Sequence, residues 1–358
     1  MLFACFLFYM LYNGGIKMNT KLMVQKFRVA RNVLYKRPIL TIFDVTKLCN
    51  QRCPMCNIWK TKSKDMSLEK IERRARQLKK FGIGYVFLQG GDPLVRRDII
   101  QIIDIFLNQG IRPTVISNGI LLNEKVAEEI AKRDCNLAIS IDSMIPERYA
   151  VLRGVDTLER VKKNIEKIGY LKNKHKGNWS VTTTVTKMTE LSDVKDIMEY
   201  AYENGFMYAI RPYITVSGTA GKKDEKLTYD YEDVLDIFHY MYKREKKENY
   251  FASLIYEEHI KYIRGNKMPE CDALNYSFLM KETGALAPCI EFPDKLVSLK
   301  QFQELKKKYK PDLDKCNCET PCFYNNAREI GFLWRKKWRV LAHLPMVIRQ
   351  MSKYGNFF

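Results

Sequence analysis

The sequence has no low-complexity tract, and its one marked apolar run, residues 1–12, is too short to cross a bilayer. A membrane-spanning helix needs roughly 20 apolar residues. No basic segment precedes the run, so it is a poor secretory signal. We favour a misassigned start with Met18 as the true first residue, and a short hydrophobic anchor is the alternative. With 46% hydrophobic residues, the chain is predicted to be an ordered globular protein of one or two domains.

Acidic residues are scarce relative to basic ones. The chain has 41 Asp and Glu against 61 Lys and Arg, which gives a formal net charge of +20. This surplus allows an acidic partner such as nucleic acid, an anionic membrane or an acidic peptide, but a solvated lysine-rich surface explains it equally well. No nucleic-acid recognition module is visible in the sequence.

Eight of the ten cysteines fall into two groups, within residues 49–56 and 271–322. Such grouping is typical of metal ligation in a reducing cytosol, whereas a secreted disulfide framework spreads its cysteines. The sequence therefore predicts a cytoplasmic metalloprotein. Cys135, outside both groups, is predicted to be a core residue.

The first group has the spacing C-x₃-C-x₂-C and consists of Cys49, Cys53 and Cys56, directly after a strand-like run at 39–45. Four thiolates normally complete an iron–sulfur cluster or a structural zinc site. Three thiolates leave one metal position open, which is more typical of a catalytic site than of a structural one. A zinc knuckle that borrows a distant histidine and chance clustering are the alternatives.

Strand-like and helix-like segments alternate along the first two thirds of the chain. Predicted strands at 39–45, 84–89, 112–117, 136–141, 179–186 and 206–212 are followed by predicted helices at 67–82, 96–110, 123–134, 157–174, 190–204 and 230–247. Six such units indicate a parallel sheet with helices outside, either a partial barrel or a doubly wound sheet. In both architectures, functional groups collect at the carboxyl ends of the strands.

Polar and glycine-rich turns follow three of these predicted strands. Each is an ordinary turn by itself, although paired glycines let a backbone approach a ligand closely. The candidate ligand-binding residues are Gly90, Gly91, Asp92 and Pro93 after the second strand, Ser117 and Asn118 after the third, and Ser140, Asp142 and Arg153 at and beyond the fourth.

The cysteine loop and the order of these turns resemble the signature of the radical S-adenosylmethionine (radical SAM) enzymes. The resemblance implies a partial (βα)₆ TIM-like barrel in which Cys49, Cys53 and Cys56 hold a [4Fe–4S] cluster. It further implies that SAM binds the fourth iron and is cleaved reductively to a 5′-deoxyadenosyl radical, with ferredoxin or flavodoxin as electron donor. The Gly-Gly-Asp-Pro turn is then expected to meet the SAM amino group, and Ser140 and Arg153 to meet its ribose and carboxylate.

This sequence departs from the family pattern at two positions. Asp92 stands where the family usually has Glu, and Ser143 stands where a glycine often follows the aspartate. The first departure is tolerable because the family contact runs largely through the backbone. The second leaves the local loop geometry open. No catalytic side chain is identified from the sequence.

The second cysteine group resembles the opening of a SPASM or twitch extension, which carries auxiliary [4Fe–4S] clusters. Its members are Cys271, Cys289, Cys316, Cys318 and Cys322. Five cysteines are enough for one auxiliary cluster held by four of them, and a zinc site is the alternative. The predicted fold class is thus α/β, a partial (βα)₆ barrel with a small C-terminal cysteine-rich domain.

The predicted segments are an apolar and basic amphipathic segment at 1–37, the barrel at 38–248, the cluster domain at 249–330 and a basic amphipathic helix at 331–358. Residues 21–37 and 333–353 contain no acidic residue, which suits either the surface of an anionic membrane or ordinary packing helices. Three hypotheses follow for function: radical modification of a peptide or protein, radical modification of a lipid or isoprenoid at a membrane, and a non-catalytic zinc module.

Overall fold

The computed structural model describes residues 20–171, 174–213, 224–266, 271–288, 326–343 and 345–346. Its strands are β1 (Leu40–Thr46), β2 (Tyr85–Gly90), β3 (Arg112–Ser117), β4 (Asn136–Ser140), β5 (Trp179–Val185), β6 (Met207–Pro212), β7 (Ser277–Met280) and β8 (Leu286–Ala287). They form one sheet in the order β6-β5-β4-β3-β2-β1-β7-β8. All neighbours are parallel except the final β7–β8 pair.

Helices connect and flank these strands. They are α1 (Thr20–Leu34), α2 (Leu68–Phe81), α3 (Ile99–Asn108), α4 (Glu124–Ala131), α5 (Pro146–Arg153), α6 (Leu158–Lys167), α7 (Leu191–Glu203), α8 (Tyr231–Glu248), α9 (Tyr250–Ile263), α10 (Asn326–Arg335) and α11 (Lys337–Ala342). Short 3₁₀ turns cover Ile58–Lys60, Pro93–Val95 and Gly169–Leu171. No described helix is long and apolar enough to cross a membrane.

The six predicted strands are confirmed, each within one residue at either end. Their spatial order follows the chain order without reversal from β1 to β6. A doubly wound sheet reverses its order at a switch point, whereas a barrel does not. The fold is therefore the partial barrel, with helices packed on the sheet through apolar faces such as Ile99, Ile102 and Phe106 of α3. Cys135 is fully buried in the core, as predicted.

Two elements of the sheet region are absent from the sequence prediction. Helix α5 occupies a stretch after β4 in which the sequence predicts no helix. Strand β7 pairs with the outer edge of β1, where Leu40 lies opposite Ser277 and the Thr41 hydroxyl donates to the Phe278 carbonyl at 3.2 Å. Residues 277–287 thus extend the barrel sheet, and the boundary placed at 248 stays a prediction.

Most of the second cysteine group lies outside the described residues. Cys289, Cys316, Cys318 and Cys322 belong to that part of the chain, and only Cys271 falls within the structure, half-buried shortly before β7. The auxiliary cluster therefore stays a prediction.

Candidate active site

The three cysteines of the first group lie on one loop that leaves the carboxyl end of β1. Cys49, Cys53 and Cys56 are all half-buried thiols. The Gln51 N–H donates to Cys49 Sγ and the Ile58 N–H donates to Cys56 Sγ, both at 3.4 Å. Such N–H···S bonds stabilise a thiolate, which is the form that ligates metal.

Burial dominates the acidity of these thiols in the metal-free protein. It raises the pKa of Cys49 and of Cys56 above the usual thiol value, and it raises the pKa of Cys53 to about 11. The nearby charge of Arg153 opposes the shift at Cys53. Metal binding would therefore displace protons from this loop, because each ligand must bind as thiolate.

The paired glycines after β2 support the cysteine loop from one side. The Gly91 N–H donates to the Thr46 carbonyl and the Asp92 N–H donates to the Leu48 carbonyl, both at 2.8 Å. A Cβ on Gly91 would lie 2.0 Å from the Leu48 oxygen, and one on Gly90 would lie 2.2 Å from the Thr46 oxygen. Gly90 also has φ +128°. The close approach that the glycines permit is therefore an approach to the loop's own backbone.

Asp92 joins the exits of β2 and β3. Its side chain is buried, and its carboxylate accepts from the Leu94 N–H at 2.9 Å, the Ser117 hydroxyl at 2.9 Å and the Asn118 N–H at 2.7 Å. Burial raises the pKa of this carboxyl to about 6, although these bonds oppose the shift. With its oxygens engaged by protein donors, Asp92 acts as a brace, and its contact with SAM stays a prediction, as does that of Pro93 in the following 3₁₀ turn.

Asn118 extends this brace to the cysteine loop. Its Nδ2 donates to Asn50 Oδ1 at 2.7 Å and lies 3.9 Å from Cys49 Sγ, while its Oδ1 accepts from the Ile120 N–H. The β3 exit is therefore linked through one amide side chain to the first cysteine of the loop.

Arg153 approaches the loop from the opposite side, at the end of α5. The side chain is buried, and Nη2 lies 2.8 Å from Asp142 Oδ2 without the alignment of a hydrogen bond. Asp142 Oδ1 accepts from the Thr184 N–H, which ties β4 to β5. Two buried nitrogens of Arg153, Nε and Nη2, make no well-aligned hydrogen bond within the described chain, although Nη2 is ion-paired with Asp142 and Cys53 lies nearby. A buried guanidinium fork of this kind suits a carboxylate ligand.

The backbone beside Arg153 also contacts the loop. The Arg52 N–H donates to the Arg153 carbonyl at 3.3 Å, and a Cβ on Gly154 would lie 2.3 Å from the Arg52 oxygen. Ser140 is the last residue of β4, half-buried at this same edge of the sheet. The structure thus brings the predicted residues from the second, third and fourth strand ends together around one loop.

Helix α5 supplies two contacts that the sequence analysis missed. Gln51, which is buried, donates to Tyr149 Oη at 3.1 Å and accepts from the Cys53 thiol at 3.7 Å. Tyr149 and Arg153 are four residues apart and so share one helix face. Pro146 at the helix start and Gly154 just past its end are the signal that predicts this helix.

A buried charge cluster lies on the β7 side of the loop and was also missed. Lys47 Nζ is 2.7 Å from Asp44 Oδ2 and 3.4 Å from Glu282 Oε2, with all three side chains buried. Gln89 donates to Asp44, and Ser63 donates to Glu282. Because Glu282 follows β7, no local sequence signal connects it to the cysteine loop.

The family model of the radical SAM superfamily matches residues 43–201, from β1 into α7. Residues 43–201 form a radical SAM domain. The probable GTP 3′,8-cyclase of Methanococcus vannielii is 27% identical over 269 residues, which are 72% of this chain and 86% of that protein. The AdoMet-dependent heme synthase of Methanosarcina barkeri is 27% identical over 214 residues, 58% of this chain and 60% of the relative.

Solved radical SAM structures share the fold at low sequence identity. The crystal structure of Streptococcus suis SuiB bound to S-adenosylmethionine aligns with a TM-score of 0.60 and 16% identity, covering 80% of this chain and 71% of that chain. Native anSMEcpe with bound AdoMet aligns with a TM-score of 0.57 and 18% identity, covering 78% and 83%. These solved structures show the shared fold. The match of residues 43–201 indicates an enzyme domain of the radical SAM superfamily, whose members use a [4Fe–4S] cluster, SAM and an electron donor.

The residues of the loop fit these cofactors. Three thiols, two of which accept from backbone N–H groups, suit three irons of a cluster. The buried guanidinium of Arg153 suits an anionic group beside Cys53. Within the described residues, no three His, Cys, Asp or Glu side chains are grouped to hold a single metal ion. The fit to a cluster therefore depends on the loop spacing and on the donors around it.

We expect Gly91→Ala to disrupt cluster loading. The new Cβ would overlap the Leu48 carbonyl, so the cysteine loop must shift. Iron content and the visible absorbance after anaerobic reconstitution should fall several-fold below wild type. Gly169→Ala is the matched control, because a Cβ there meets its nearest atom, on Asn204, at 3.9 Å. Equal iron loading in both variants would contradict the bracing role of Gly91.

We expect Asp92→Asn to remove a pH dependence of stability. The folded-state pKa of about 6 exceeds the value of about 3.9 in an unfolded chain, so protonation favours folding. The contribution, about 3 kcal/mol, is fully present below about pH 4 and is lost as pH rises through 6. Urea unfolding of metal-free protein between pH 4 and 7 measures it, and identical slopes for variant and wild type would contradict the assignment.

We expect Glu282→Gln to destabilise the fold by about 2 kcal/mol, because buried Lys47 loses one of its two carboxylate partners. The exposed pair between Glu72 and Arg76 provides the control, since Glu72→Gln should cost less than about 0.5 kcal/mol. Urea unfolding at pH 7 compares the two. A smaller effect at Glu282 than at Glu72 would show that the buried cluster adds nothing to stability.

Proposed function

We propose that this enzyme cleaves SAM reductively and uses the 5′-deoxyadenosyl group to remove a hydrogen atom from an unactivated carbon of a peptide or protein side chain. The observation that carries the proposal is the position of the cysteine loop. It lies at the carboxyl edge of the barrel and is braced from the β2, β3 and α5 sides.

The chain's own residues would bind and orient the cofactors. Cys49, Cys53 and Cys56 would hold the cluster, and the open fourth position would be left to SAM. Arg153, whose Nε and Nη2 make no well-aligned hydrogen bond, would pair with the SAM carboxylate. When bound, the cluster supplies the electron that breaks the sulfonium bond of SAM, and the protein orients the reactants and excludes water.

Lys47 contributes a buried positive charge next to this loop. Its ammonium lowers the pKa of Cys56 and is itself held by Asp44 and Glu282. A fixed cation stabilises a cluster that becomes more negative on reduction. The β7 strand therefore contributes to the electrostatics of the site from the far end of the sequence.

A peptide substrate is supported by the structures that share this fold. SuiB bound to precursor peptide SuiA aligns with a TM-score of 0.61 at 17% identity, and native anSMEcpe with AdoMet and the Kp18Cys peptide aligns with 0.59 at 16%. A SPASM-like second cysteine group with one auxiliary cluster would accord with such a substrate. The net charge of +20 favours an acidic peptide.

A nucleoside triphosphate is the second candidate substrate. It is motivated by the M. vannielii relative, of which this chain covers 86%, and which is named a probable GTP 3′,8-cyclase. For either substrate we propose a cytoplasmic enzyme reduced by ferredoxin or flavodoxin, because thiolate ligands require a reducing compartment.

The test is formation of 5′-deoxyadenosine by anaerobically reconstituted protein with SAM and dithionite. We expect product from wild type and none from the Cys49→Ala/Cys53→Ala/Cys56→Ala variant, since the variant cannot hold the cluster. Addition of an acidic peptide library or of GTP should then raise turnover only for the correct class. Iron-replete wild type that binds SAM and forms no 5′-deoxyadenosine with any of these additions would overturn the proposal.

A further inference from the structure

Helix α1 lies at the amino-terminal edge of the barrel, opposite the cysteine loop. Gln25 Nε2 donates to the Gly84 carbonyl at 2.7 Å, just before β2 begins. Asn32 Nδ2 donates to the Pro38 carbonyl at 2.8 Å and to the Phe81 carbonyl at 3.0 Å, which precede β1 and β2. Since β1 has seven residues, its length of roughly 20 Å separates this edge from the reaction site.

The helix has two apolar faces, and only one of them is used by the barrel. Val29 and Val33 are buried against the start of β1. Val24, Phe27 and Leu34 are spaced by three and seven residues on another stripe and are each more than 40% exposed. An outward apolar stripe on a surface helix is unusual without a partner to cover it.

The charged residues on and next to this outward stripe are all basic. Arg31 lies on the stripe and is exposed, and Tyr35, Lys36 and Arg37 follow it, with the Arg37 guanidinium 5.9 Å from the centre of the Tyr35 ring. Residues 20–37 contain no acidic side chain. We call Val24, Phe27, Arg31, Leu34, Tyr35, Lys36 and Arg37 the basic apolar face.

A second helix pair, α10 and α11, continues from the same edge. Ile330 and Trp334 of α10 pack on the cluster that contains Val29 and Val33. Arg335 is 2.5 Å from Asp272, which precedes β7. In α11, Trp338 is 64% exposed. The sequence from 330 to 358 again contains no acidic residue.

We propose that the basic apolar face binds the enzyme to an anionic phospholipid surface, with the carboxyl edge of the barrel directed away from the bilayer. Aliphatic and aromatic side chains among cations are what an interfacial helix inserts at the headgroup level. Nucleic acid would use the cations but would leave Val24, Phe27 and Leu34 exposed. Charge and apolar exposure together therefore favour lipid.

This geometry also bears on the lipid-substrate hypothesis. A bilayer at the amino-terminal edge is separated from the cysteine loop by the full length of the strands. The enzyme would therefore act on a substrate that approaches from the aqueous side while the face holds it at the membrane.

Flotation with vesicles of pure phosphatidylcholine and of phosphatidylcholine with 30% phosphatidylglycerol, at 0.15 M salt, tests the proposal. We expect the full chain to bind the anionic vesicles at least tenfold more tightly. Phe27→Ser/Leu34→Ser and, separately, Arg31→Glu/Lys36→Glu should each weaken binding at least tenfold, because insertion needs both apolar and cationic groups. These side chains point outward, so urea unfolding should be unchanged.

Two controls identify the binding surface. Ile145→Ser/Val151→Ser removes apolar side chains of similar exposure at the start of α5 and within it, and should leave vesicle binding unchanged. A chain that starts at Met18 should still bind, because the face lies beyond the apolar residues 1–12. Loss of binding on that truncation with no effect of the face variants would overturn the proposal in favour of the apolar segment.

The remaining outcomes are also decisive. Failure of the full chain to bind anionic vesicles at 0.15 M salt would overturn the proposal. So would tight binding of a polyuridine RNA that Arg31→Glu/Lys36→Glu abolishes and Phe27→Ser/Leu34→Ser does not change, since this pattern indicates a polyanion site. The 5′-deoxyadenosine assay of the proposed function is run without vesicles. Its result therefore does not depend on whether the protein binds vesicles or RNA.

Discussion

The close contact between two backbones, at the exit of β2 and at the start of the cysteine loop, is the constraint on which the site depends. Gly91 and Asp92 donate to carbonyls at Thr46 and Leu48, and the first of these positions leaves no room for a Cβ. A loop that carries three metal ligands would otherwise be free to change shape. Here its first residues are hydrogen-bonded to a neighbouring strand before any ligand arrives, which lowers the conformational entropy lost on cluster binding.

Buried polar groups complete this support at an electrostatic cost. Asp92, Asp142 and Lys47 are all buried, and burial alone disfavours their charged forms. Asp92 accepts three hydrogen bonds, Asp142 is paired with Arg153 of α5 and accepts from the Thr184 N–H, and Lys47 is paired with Asp44 and Glu282. These contacts form only when the strand ends are aligned. The buried polar groups therefore favour the correct barrel geometry in addition to supporting the binding site.

The strand positions and the main site residues could be predicted because their signals are local. Parallel strands buried on both faces appear as short apolar runs, and the turns that follow them carry their polar residues at fixed places. The roles of those residues were harder to predict from the sequence. The expected approach of Gly90 and Gly91 to a ligand stays a prediction, and the structure adds that both glycines contact the loop backbone. The turn that contains Asp92 is expected to meet SAM largely through its backbone, which stays a prediction, and the structure adds that the Asp92 carboxylate is engaged by β3.

What the sequence could not predict depends on distant pairing. Helix α5 had a local signal in Pro146 and Gly154, but the four-residue spacing of Tyr149 and Arg153 gains meaning only once the cysteine loop is placed beside them. Glu282 reaches Lys47 through β7, whose alignment with β1 joins residues 237 positions apart. Patterns within a window of ten or twenty residues contain no information about such a pair.

The parallel pairing of β7 with β1 also fixes an order of events during synthesis. Among the described strands β1 is the first to leave the ribosome, yet its β7 partner forms only after residues 277–280 have been made. Contacts of such long sequence separation form late in folding. A nascent chain therefore exposes an open strand edge, and Lys47 lacks Glu282, for most of translation. A fully braced loop is therefore available for iron only after residues 277–282 have been made, and the open strand edge is exposed until that time.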